Sequence, residues 1–456
     1  MKLFTKRTGL HDDPPEGGQE AEPGGSQGGR RAQGGRRAQV VVVGTGFGGL
    51  NCALRLAHQD VDVTVIDRDN YHGFWPLLYQ VATGGLGPDD IARPARSLYA
   101  AHPNITARMG TVTGVDLDNK LVHAEDQRDL PYDYLVLAAG SASTDFGIPG
   151  VAEHTFPLKT LADAIGLRNH LLATWEAADA GVAPDLTAAL TVVLVGGGPT
   201  GVELAGAISE LVSVNLPRDY RHLEHQQARV VLVEMNDSLL AGFAPRLQRN
   251  ALRTLQDKGV EVRFGATLAE ARPDGVTFAD GSSIKAATIV WTAGVAANPL
   301  AAHLDAEKRR GGTVAVQPDL SLPGHPEVFV VGDLAAVPDR HDGQLPQVAQ
   351  VAIQGGRHAA RQIERLEKGQ ATGAFRYHNH GTMATVGRRD AVAELPGGLT
   401  MTGTLGWLSW LAVHLVFLIG FRNRAVVLVN WAYNYLTWDR AARVILELPA
   451  KHVDEA

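Results

Sequence analysis

The hydrophobic pattern of the chain is dominated by short, unbroken apolar runs that end at glycine-rich turns or at acidic residues. The first run, residues 40–43, consists of four valines and leads directly into Gly44-Thr45-Gly46-Phe47-Gly48-Gly49. An unbroken apolar run is typical of a strand that is buried on both faces in a parallel sheet. The pattern therefore predicts a buried strand, a tight turn and a helix over about residues 47–57.

The turn between this strand and helix has the glycine spacing of a dinucleotide-binding loop. Gly44 permits the tight turn, Gly46 lets the backbone approach a pyrophosphate, and Gly49 allows close packing of the helix on the strand. The next apolar run, residues 61–66, ends at Asp67, where a carboxylate is placed to bind a ribose hydroxyl. The other candidate cofactor contacts in this unit are Phe47, Gly48 and Arg68.

The same pattern returns in the middle of the chain. Residues 191–195 lead into Gly196-Gly197-Gly198-Pro199-Thr200-Gly201, and the run 229–233 ends at Glu234. Two complete units predict two bound nucleotides, with Gly196, Gly198, Gly201 and Glu234 as the candidate contacts of the second. An acid at the end of the second strand favours an unphosphorylated ribose, so we expect NAD(H) rather than NADP(H) at this site.

Three later apolar runs also end at small or acidic residues, and they add candidate contacts. Residues 134–140 end at Gly140, residues 287–294 end at Gly294, and residues 327–333 end at Asp333. We expect Gly294 to form a second edge of the NAD site and Asp333 to accept hydrogen bonds from the ribityl hydroxyls of a flavin.

Two polar features interrupt this pattern. Residues 345–354 are helix-like, and Gln350 and Gln354 lie four residues apart, which places both amides on one helix face. Such a face suits a neutral carbonyl ligand such as a quinone. The aromatic segment 70–82 is predicted to be loop-like, and the sequence leaves open whether it covers a ligand or fills space in the core.

The C-terminal pattern is different, because two long apolar runs are joined by Gly420-Phe421-Arg422-Asn423-Arg424. Each run is shorter than the roughly 20 apolar residues that span a bilayer. Tryptophans and tyrosines cluster with arginines there (Trp407, Trp410, Trp431, Tyr433, Tyr435 and Trp438), as is typical of membrane interfaces. We predict a segment that lies on a membrane surface; a hydrophobic homodimer interface is the alternative.

Composition narrows these predictions. A chain of 456 residues is long enough for two or three domains, and a net charge of −7 argues against nucleic-acid binding. Cys52 is the only cysteine, so no cysteine-ligated iron–sulfur cluster or dithiol relay can form, and no metal site is predicted. Residues from about 11 to 39 are rich in Gly, Pro, Gln and Arg without an apolar core segment, so the N-terminal stretch 1–39 is predicted to be a disordered tail and not a secretory signal peptide.

Taken together, these motifs resemble one enzyme family. They are Gly44 to Gly49, Pro76-Leu77-Leu78-Tyr79-Gln80, Gly196 to Glu203, Gly332-Asp333, Ala349-Gln350-Val351-Ala352-Ile353-Gln354 and Gly420 to Arg424. From residue 40 to about 445 the chain is similar to type II NADH:quinone oxidoreductases, flavoproteins with two dinucleotide-binding domains. One departure lies in Tyr377-His378-Asn379-His380-Gly381, where the family pattern has an acid near Asn379.

The resemblance implies an α/β fold with two Rossmann-like domains, the FAD domain being split by the NADH domain, and a C-terminal membrane-associated helical segment. The implied limits are a tail over 1–39, the FAD domain over 40–155 and 297–380, the NADH domain over 156–296, and the membrane segment over 381–456. It implies FAD as cofactor and NADH and a membrane quinone, menaquinone or ubiquinone, as substrates, without proton pumping. It also implies a peripheral position on the cytoplasmic face of the inner membrane.

The implied reaction has two halves, NADH oxidation and quinone reduction, in a respiratory chain. Glu203 is the candidate for the proton route, and Gln350 and Gln354 are candidates for orienting the quinone carbonyls. A carboxylate favoured only by the helix dipole is the alternative for Glu203. Sulfide:quinone oxidoreductase is nearly excluded as an alternative, because it needs redox cysteines and this chain has only Cys52. The alternative that stays open is a membrane-bound flavoprotein that senses NADH without turnover.

Overall fold

The computed structural model describes residues 36–223, 228–339, 343–440 and 442–446. The predicted tail, residues 1–39, therefore lies outside the described residues except for its last four. Two parallel sheets organise the described chain, and each is covered by helices. A C-terminal pair of helices packs across both units.

The first sheet has six strands, five of which run parallel. In spatial order they are Ser321–Leu322, His325–Val330, Tyr134–Leu137, Ala38–Val43, Val61–Asp67 and Ile105–Met109. Strand Ala38–Val43 pairs with Val61–Asp67 on one side and with Tyr134–Leu137 on the other. The two strands from the 321–330 region complete this sheet after the chain has formed the second one, so the first domain is split.

The second sheet has five parallel strands. In spatial order they are Phe156–Pro157, Thr288–Trp291, Thr191–Val195, Arg229–Val233 and Val260–Arg263. All side chains of Thr191–Val195 are buried, as the unbroken apolar run predicted. Smaller antiparallel sheets carry the connections: Leu268–Arg272, Gly275–Phe278 and Ser283–Lys285 form one, and Val112–Asp116, Leu121–Ala124 and Leu130–Pro131 form another.

The main helices follow the strands. They are Phe47–Leu56, Leu161–Asp179, Pro199–Glu210, Pro245–Asp257 and Ala349–Glu367. Pro199 occupies the first helical position, where its missing N–H is not needed. Helices Phe47–Leu56 and Ala349–Glu367 pack closely, because a Cβ on Gly356 would overlap the Gly48 carbonyl oxygen.

Two predicted elements differ from the observed ones. The helix expected over 345–354 begins only at Ala349, because Pro346 disfavours helical geometry before it and Val348 is extended. The aromatic segment predicted to be a loop is helical over Trp75–Leu77 and Leu78–Ala82.

The C-terminal region contains strands Thr382–Gly387, Asp390–Glu394 and Thr400–Thr402, followed by helices Gly403–Phe417 and Phe421–Thr437. We call these two helices the C-terminal helix pair. Within the described ranges no helix is both long and apolar enough to cross a bilayer. Polar contacts hold the inner face of the pair in place: Asn423 and Asn434 donate to backbone carbonyls of the 85–92 segment, and Arg440 pairs with Glu210.

Three of the tryptophans predicted to lie at a membrane interface are instead buried. Trp407, Trp410 and Trp431 are 8%, 0% and 3% exposed and join the core between the C-terminal helix pair and the second domain. These large side chains fill the space behind the pair, and Trp431 Nε1 donates to buried Gln80 Oε1 at 2.8 Å. The outer face of the pair consists of other apolar side chains: Leu405, Leu408, Val416, Phe417, Phe421, Leu428, Val429 and Leu436.

Candidate active site

A cleft of about 440 Å³ opens at the carboxyl end of the first sheet. Eight of the predicted cofactor contacts line it: Gly44, Gly46, Phe47, Gly48, Asp67, Arg68, Gly140 and Asp333. Gly49, the ninth, lies beneath them, where a Cβ would overlap the Gly44 carbonyl oxygen. The sequence motifs thus come together around one cavity of the size that holds a cofactor.

Asp67 supports the glycine loop from below. Its Oδ2 accepts from the Thr45 N–H at 2.5 Å, and its Oδ1 accepts from the Asp69 N–H at 3.0 Å. Burial raises the pKa of Asp67, although these two backbone donors oppose the rise. The buried His72 ring braces the same loop through Nδ1 and the Thr45 carbonyl at 2.7 Å, and burial lowers its pKa to about 4.

The far end of the cleft is polar and carries residues that no motif marked. Ser141 Oγ donates to Asp333 Oδ2 at 2.6 Å, and Lys159 Nζ donates to Ser141 Oγ at 2.7 Å. Lys159 also lies 3.6 Å from Asp333 Oδ2. This arrangement presents hydroxyl, ammonium and carboxylate groups to a hydroxylated chain. Together with a glycine loop at a helix N-terminus, the cleft fits a flavin dinucleotide.

The second glycine loop repeats the first in detail. Gly197 N donates to Glu234 Oε2 at 2.7 Å, and Asn236 N donates to Glu234 Oε1 at 2.9 Å. A Cβ on Gly201 would overlap the Gly196 carbonyl oxygen, just as at Gly49 and Gly44. Gly198, like Gly46, has open space where a Cβ would stand. The second loop therefore keeps the close approach that a pyrophosphate requires.

Glu203 lies one turn into the helix that follows this loop, and Thr200 of the same helix lines the 440 Å³ cleft. The carboxyl is buried, and its Oε1 accepts from the Thr385 N–H at 3.2 Å. Burial raises the pKa of Glu203 to about 8, so the group is mostly protonated at neutral pH. The Trp410 indole also faces the Glu203 carboxyl and partly offsets the increase in its pKa. The indole Nε1 has no hydrogen-bond partner among the described residues, so this effect is that of a nearby N–H and not of a formed hydrogen bond.

A buried polar network surrounds Glu203, and the sequence did not predict it. Tyr79 Oη lies 3.1 Å from Thr385 Oγ1, and Gln80 Nε2 donates to Tyr79 Oη at 3.0 Å. Gln80 is in turn held by Trp431. The segment 70–82 divides into two parts. Trp75 and Pro76 line the cleft, and the apolar residues among 77–82 pack in the core.

Gln350 and Gln354 share one helix face, as predicted, and both amides contact the same loop. Gln350 Nε2 donates to the Gly381 carbonyl at 2.8 Å, and its Oε1 accepts from the His380 N–H at 3.0 Å. Gln354 contacts the His378 carbonyl and N–H at 2.8 and 3.0 Å. The loop leads into strand Thr382–Gly387, which carries Thr385 next to Glu203, so one strand connects the glutamines to that carboxyl.

The departure at Asn379 leaves the loop intact. Asn379 Oδ1 accepts from the Gly381 N–H at 2.9 Å, a turn that an aspartate carboxylate also forms. The substitution of an amide for an acid therefore keeps this local contact.

Cys52 is buried in the helix behind the first glycine loop, and burial raises its pKa to about 12. A buried neutral thiol without a second cysteine cannot form or exchange a disulfide within the chain. The geometry therefore agrees with the composition in leaving no redox thiol chemistry in this chain.

Two dinucleotide domains and a flavin-sized cleft define the class of two-domain, nucleotide-dependent flavoproteins. The family model described as "Pyridine nucleotide-disulphide oxidoreductase" matches residues 38–356, and the model described as "NDH2 C-terminal domain" matches residues 379–438. The chain belongs to the type II NADH:quinone oxidoreductase family, as its motifs predicted.

Three similar proteins support this assignment. The type II NADH:quinone oxidoreductases Ndh and NdhA of Mycobacterium tuberculosis are 39% and 40% identical to the chain. The alignment covers 90% of this chain and 91% of Ndh, and 89% of both this chain and NdhA. The type II NADH:quinone oxidoreductase of Staphylococcus aureus is 30% identical, over 79% of this chain and 90% of its own.

Solved structures show the same fold. NDH2 from Plasmodium falciparum in complex with NADH superposes with a TM-score of 0.82 at 18% identity, over 90% of this chain and all of that one. The sulfide:quinone oxidoreductase from Aquifex aeolicus has a TM-score of 0.69 at 20% identity, over 85% and 92%. The predicted α/β fold with two Rossmann-like domains is confirmed, and the chain is a flavin-dependent oxidoreductase of a membrane-associated family.

Proposed function

We propose that the chain oxidises NADH and reduces a membrane quinone to quinol, with FAD held in the 440 Å³ cleft. The observation that carries this function is the position of Glu203, which is buried beside Thr385 of the C-terminal region, one helical turn beyond the cleft-lining residue Thr200. The chemistry that bound FAD would supply is the transfer of two electrons from NADH to the quinone. The protein's part is to bind, to orient and to move protons.

The two glycine loops bind different nucleotides in this proposal. The first loop would hold the pyrophosphate of FAD and Asp67 its adenosine ribose, while Asp333, beside Ser141, would accept hydrogen bonds from the ribityl hydroxyls. The second loop binds the pyrophosphate of NADH, and Glu234 selects the unphosphorylated ribose, because a second negative charge would stand beside its carboxylate.

Glu203 holds the proton for quinone reduction. With a pKa of about 8 the carboxyl is mostly protonated at pH 7. Because this pKa lies near neutral pH, the group can also give up the proton. The carboxyl is largely shielded from solvent and accepts a hydrogen bond from the Thr385 N–H, so its position is fixed by the protein and not by water.

The experiment that tests the function separates the two half-reactions. NADH added without oxygen should bleach the flavin absorbance of the purified protein, and a soluble quinone analogue should restore it. NADPH should bleach the flavin much more slowly. Bleaching without recolouring would favour the alternative, a flavoprotein that senses NADH without turnover.

Substitution of the glutamines tests the second half-reaction. Because both amides hold the loop 378–381 in place, Gln350→Leu and Gln354→Leu should each slow recolouring by quinone about tenfold and leave bleaching by NADH unchanged. Gln370→Leu, on the exposed turn after the same helix, is the matched control. Slower bleaching would place the glutamines at the NADH half-reaction instead.

The C-terminal helix pair supplies the proposed membrane surface. Its outer face exposes apolar side chains, among them Phe421 at 87% and Leu436 at 83%, while asparagines and arginine hold its inner face. An apolar face of this kind inserts into the headgroup region of a bilayer. We place it on the cytoplasmic face of the inner membrane, where NADH and quinone meet.

The double variant Phe421→Glu and Leu436→Glu should move the protein from the membrane fraction to the soluble fraction, because two charges replace exposed apolar side chains that the bilayer would cover. Flavin content should not change, since both side chains point away from the core. Leu399→Glu, an equally apolar position that is 61% exposed outside the pair, should leave the protein on the membrane. If the double variant stays in the membrane fraction but no longer forms dimers, the outer face of the C-terminal helix pair joins two copies of the chain.

A further inference from the structure

Phe146 is an exposed aromatic residue in a strained backbone conformation. Its side chain is 64% exposed, and its φ is 52°, in the left-handed region that bulky residues rarely adopt. Asp145 and Thr144 hold this geometry, since Asp145 Oδ1 accepts from the Gly147 N–H at 2.9 Å and Thr144 Oγ1 accepts from the Phe146 N–H at 3.3 Å. Strain of this kind is concentrated at functional sites.

The ring lies at the rim of the second dinucleotide site. A Cβ on Gly294 would overlap the edge of the Phe146 ring, and Phe146 packs edge-on to Trp291 with ring centroids 6.4 Å apart. Trp291 ends a central strand of the second sheet, and its Nε1 donates to the Thr144 carbonyl at 2.8 Å. These contacts hold Phe146 against the turn at the carboxyl end of strand Thr288–Trp291.

This turn borders the crevice in which an open sheet binds its ligand. Strand Thr191–Val195 has Arg229–Val233 on one side and Thr288–Trp291 on the other, so the connections reverse direction between Thr191–Val195 and Thr288–Trp291. Ligands lie in the crevice at such a switch point. The glycine loop forms one wall, with Gly196 packed against Ala293, and Gly294 and Phe146 form the other.

The position of Glu234 indicates which end of a bound dinucleotide lies on which side of the crevice. Glu234 follows strand Arg229–Val233, on the side of the glycine loop away from Phe146. A dinucleotide with its adenosine ribose at Glu234 and its pyrophosphate on the loop extends its other half across the crevice. We propose that Phe146 is a positioning residue for the nicotinamide half of NADH, against which its exposed ring packs. This inference rests on the proposed function, because it requires NADH in the second domain.

The test compares two ligands that differ only in the nicotinamide. Calorimetric titration of the flavin-loaded protein with NAD⁺ should show about three- to tenfold weaker binding to Phe146→Ala than to the wild type, the range expected for one aromatic contact. ADP-ribose, which lacks nicotinamide, should bind both proteins equally. The Michaelis constant for NADH should rise by the same factor.

Two more variants make the result decisive. Phe146→Gly also removes the ring but relieves the strained φ, so it should show the same loss of NAD⁺ affinity without loss of thermal stability. Val182→Ala, at a 70% exposed position outside the crevice, should bind both ligands as the wild type does. Equal weakening of NAD⁺ and ADP-ribose, or no weakening of either, would overturn the role of Phe146. A wild-type protein that binds neither ligand would overturn the assignment of NADH to the second domain as well.

Discussion

Glu203→Gln should slow recolouring of the bleached flavin by quinone at least about 100-fold, the usual contribution of a general acid, while bleaching by NADH stays within about twofold. The amide keeps the shape of the carboxyl and can still accept from the Thr385 N–H, but it has no proton to give. Stopped-flow absorbance measures both steps. The exposed Glu153→Gln should leave both rates unchanged.

The pH dependence provides a second signature of the same group. With a pKa of about 8, Glu203 is protonated below that pH and ionised above it, so the wild-type rate of quinone reduction should fall as the pH rises through about 8. The Gln variant should lose this inflection. Retention of a fast, pH-dependent quinone step in Glu203→Gln would assign the proton route to another group.

The free energy of unfolding should also depend on pH, because Glu203 is buried. The folded pKa of Glu203 lies above the ordinary carboxyl value of 4.5, so the folded state binds a proton that the unfolded state has released between these values. The free energy of unfolding of the wild type therefore falls as the pH rises from about 4.5 to about 8. Gln has no such group, so the thermal midpoint of Glu203→Gln relative to the wild type should rise over that range.

Gly49→Ala should abolish flavin binding and destabilise the first domain, because its Cβ would overlap the Gly44 carbonyl oxygen and push the helix away from the strand. Gly46→Ala should behave differently. Its Cβ meets no atom within 4 Å and stands in the cleft, so the protein should fold normally and lose flavin. The ratio of flavin to protein absorbance and the thermal midpoint separate the two effects.

Gly166→Ala is the matched control for these glycines. Gly166 lies inside helix Leu161–Asp179 with open space around its Cβ position, so alanine should stabilise the protein by up to about 1 kcal/mol. Full flavin content in Gly46→Ala would show that the first loop does not hold the pyrophosphate.

Much of the fold could be predicted because local patterns determine it. A short apolar run such as Thr191–Val195 indicates a buried strand when it leads directly into a glycine turn, and glycines with the spacing of Gly196 to Gly201 leave few other turn geometries. The acids at Asp67 and Glu234 follow from the same local rule. The sequence by itself therefore determined two dinucleotide domains, their cofactor loops and the family.

Only the tertiary structure decided how distant segments meet. Trp407, Trp410 and Trp431 were predicted to be interfacial because they cluster with tyrosines and arginines in the sequence. In the structure all three pack behind the C-terminal helix pair, and the Gln80 amide binds Trp431 there. No local pattern could place Tyr79 beside Thr385, which lies 306 residues away. The high pKa of Glu203 and the position of Phe146 over Gly294 likewise arise from burial and contacts between domains, which depend on packing and not on sequence spacing.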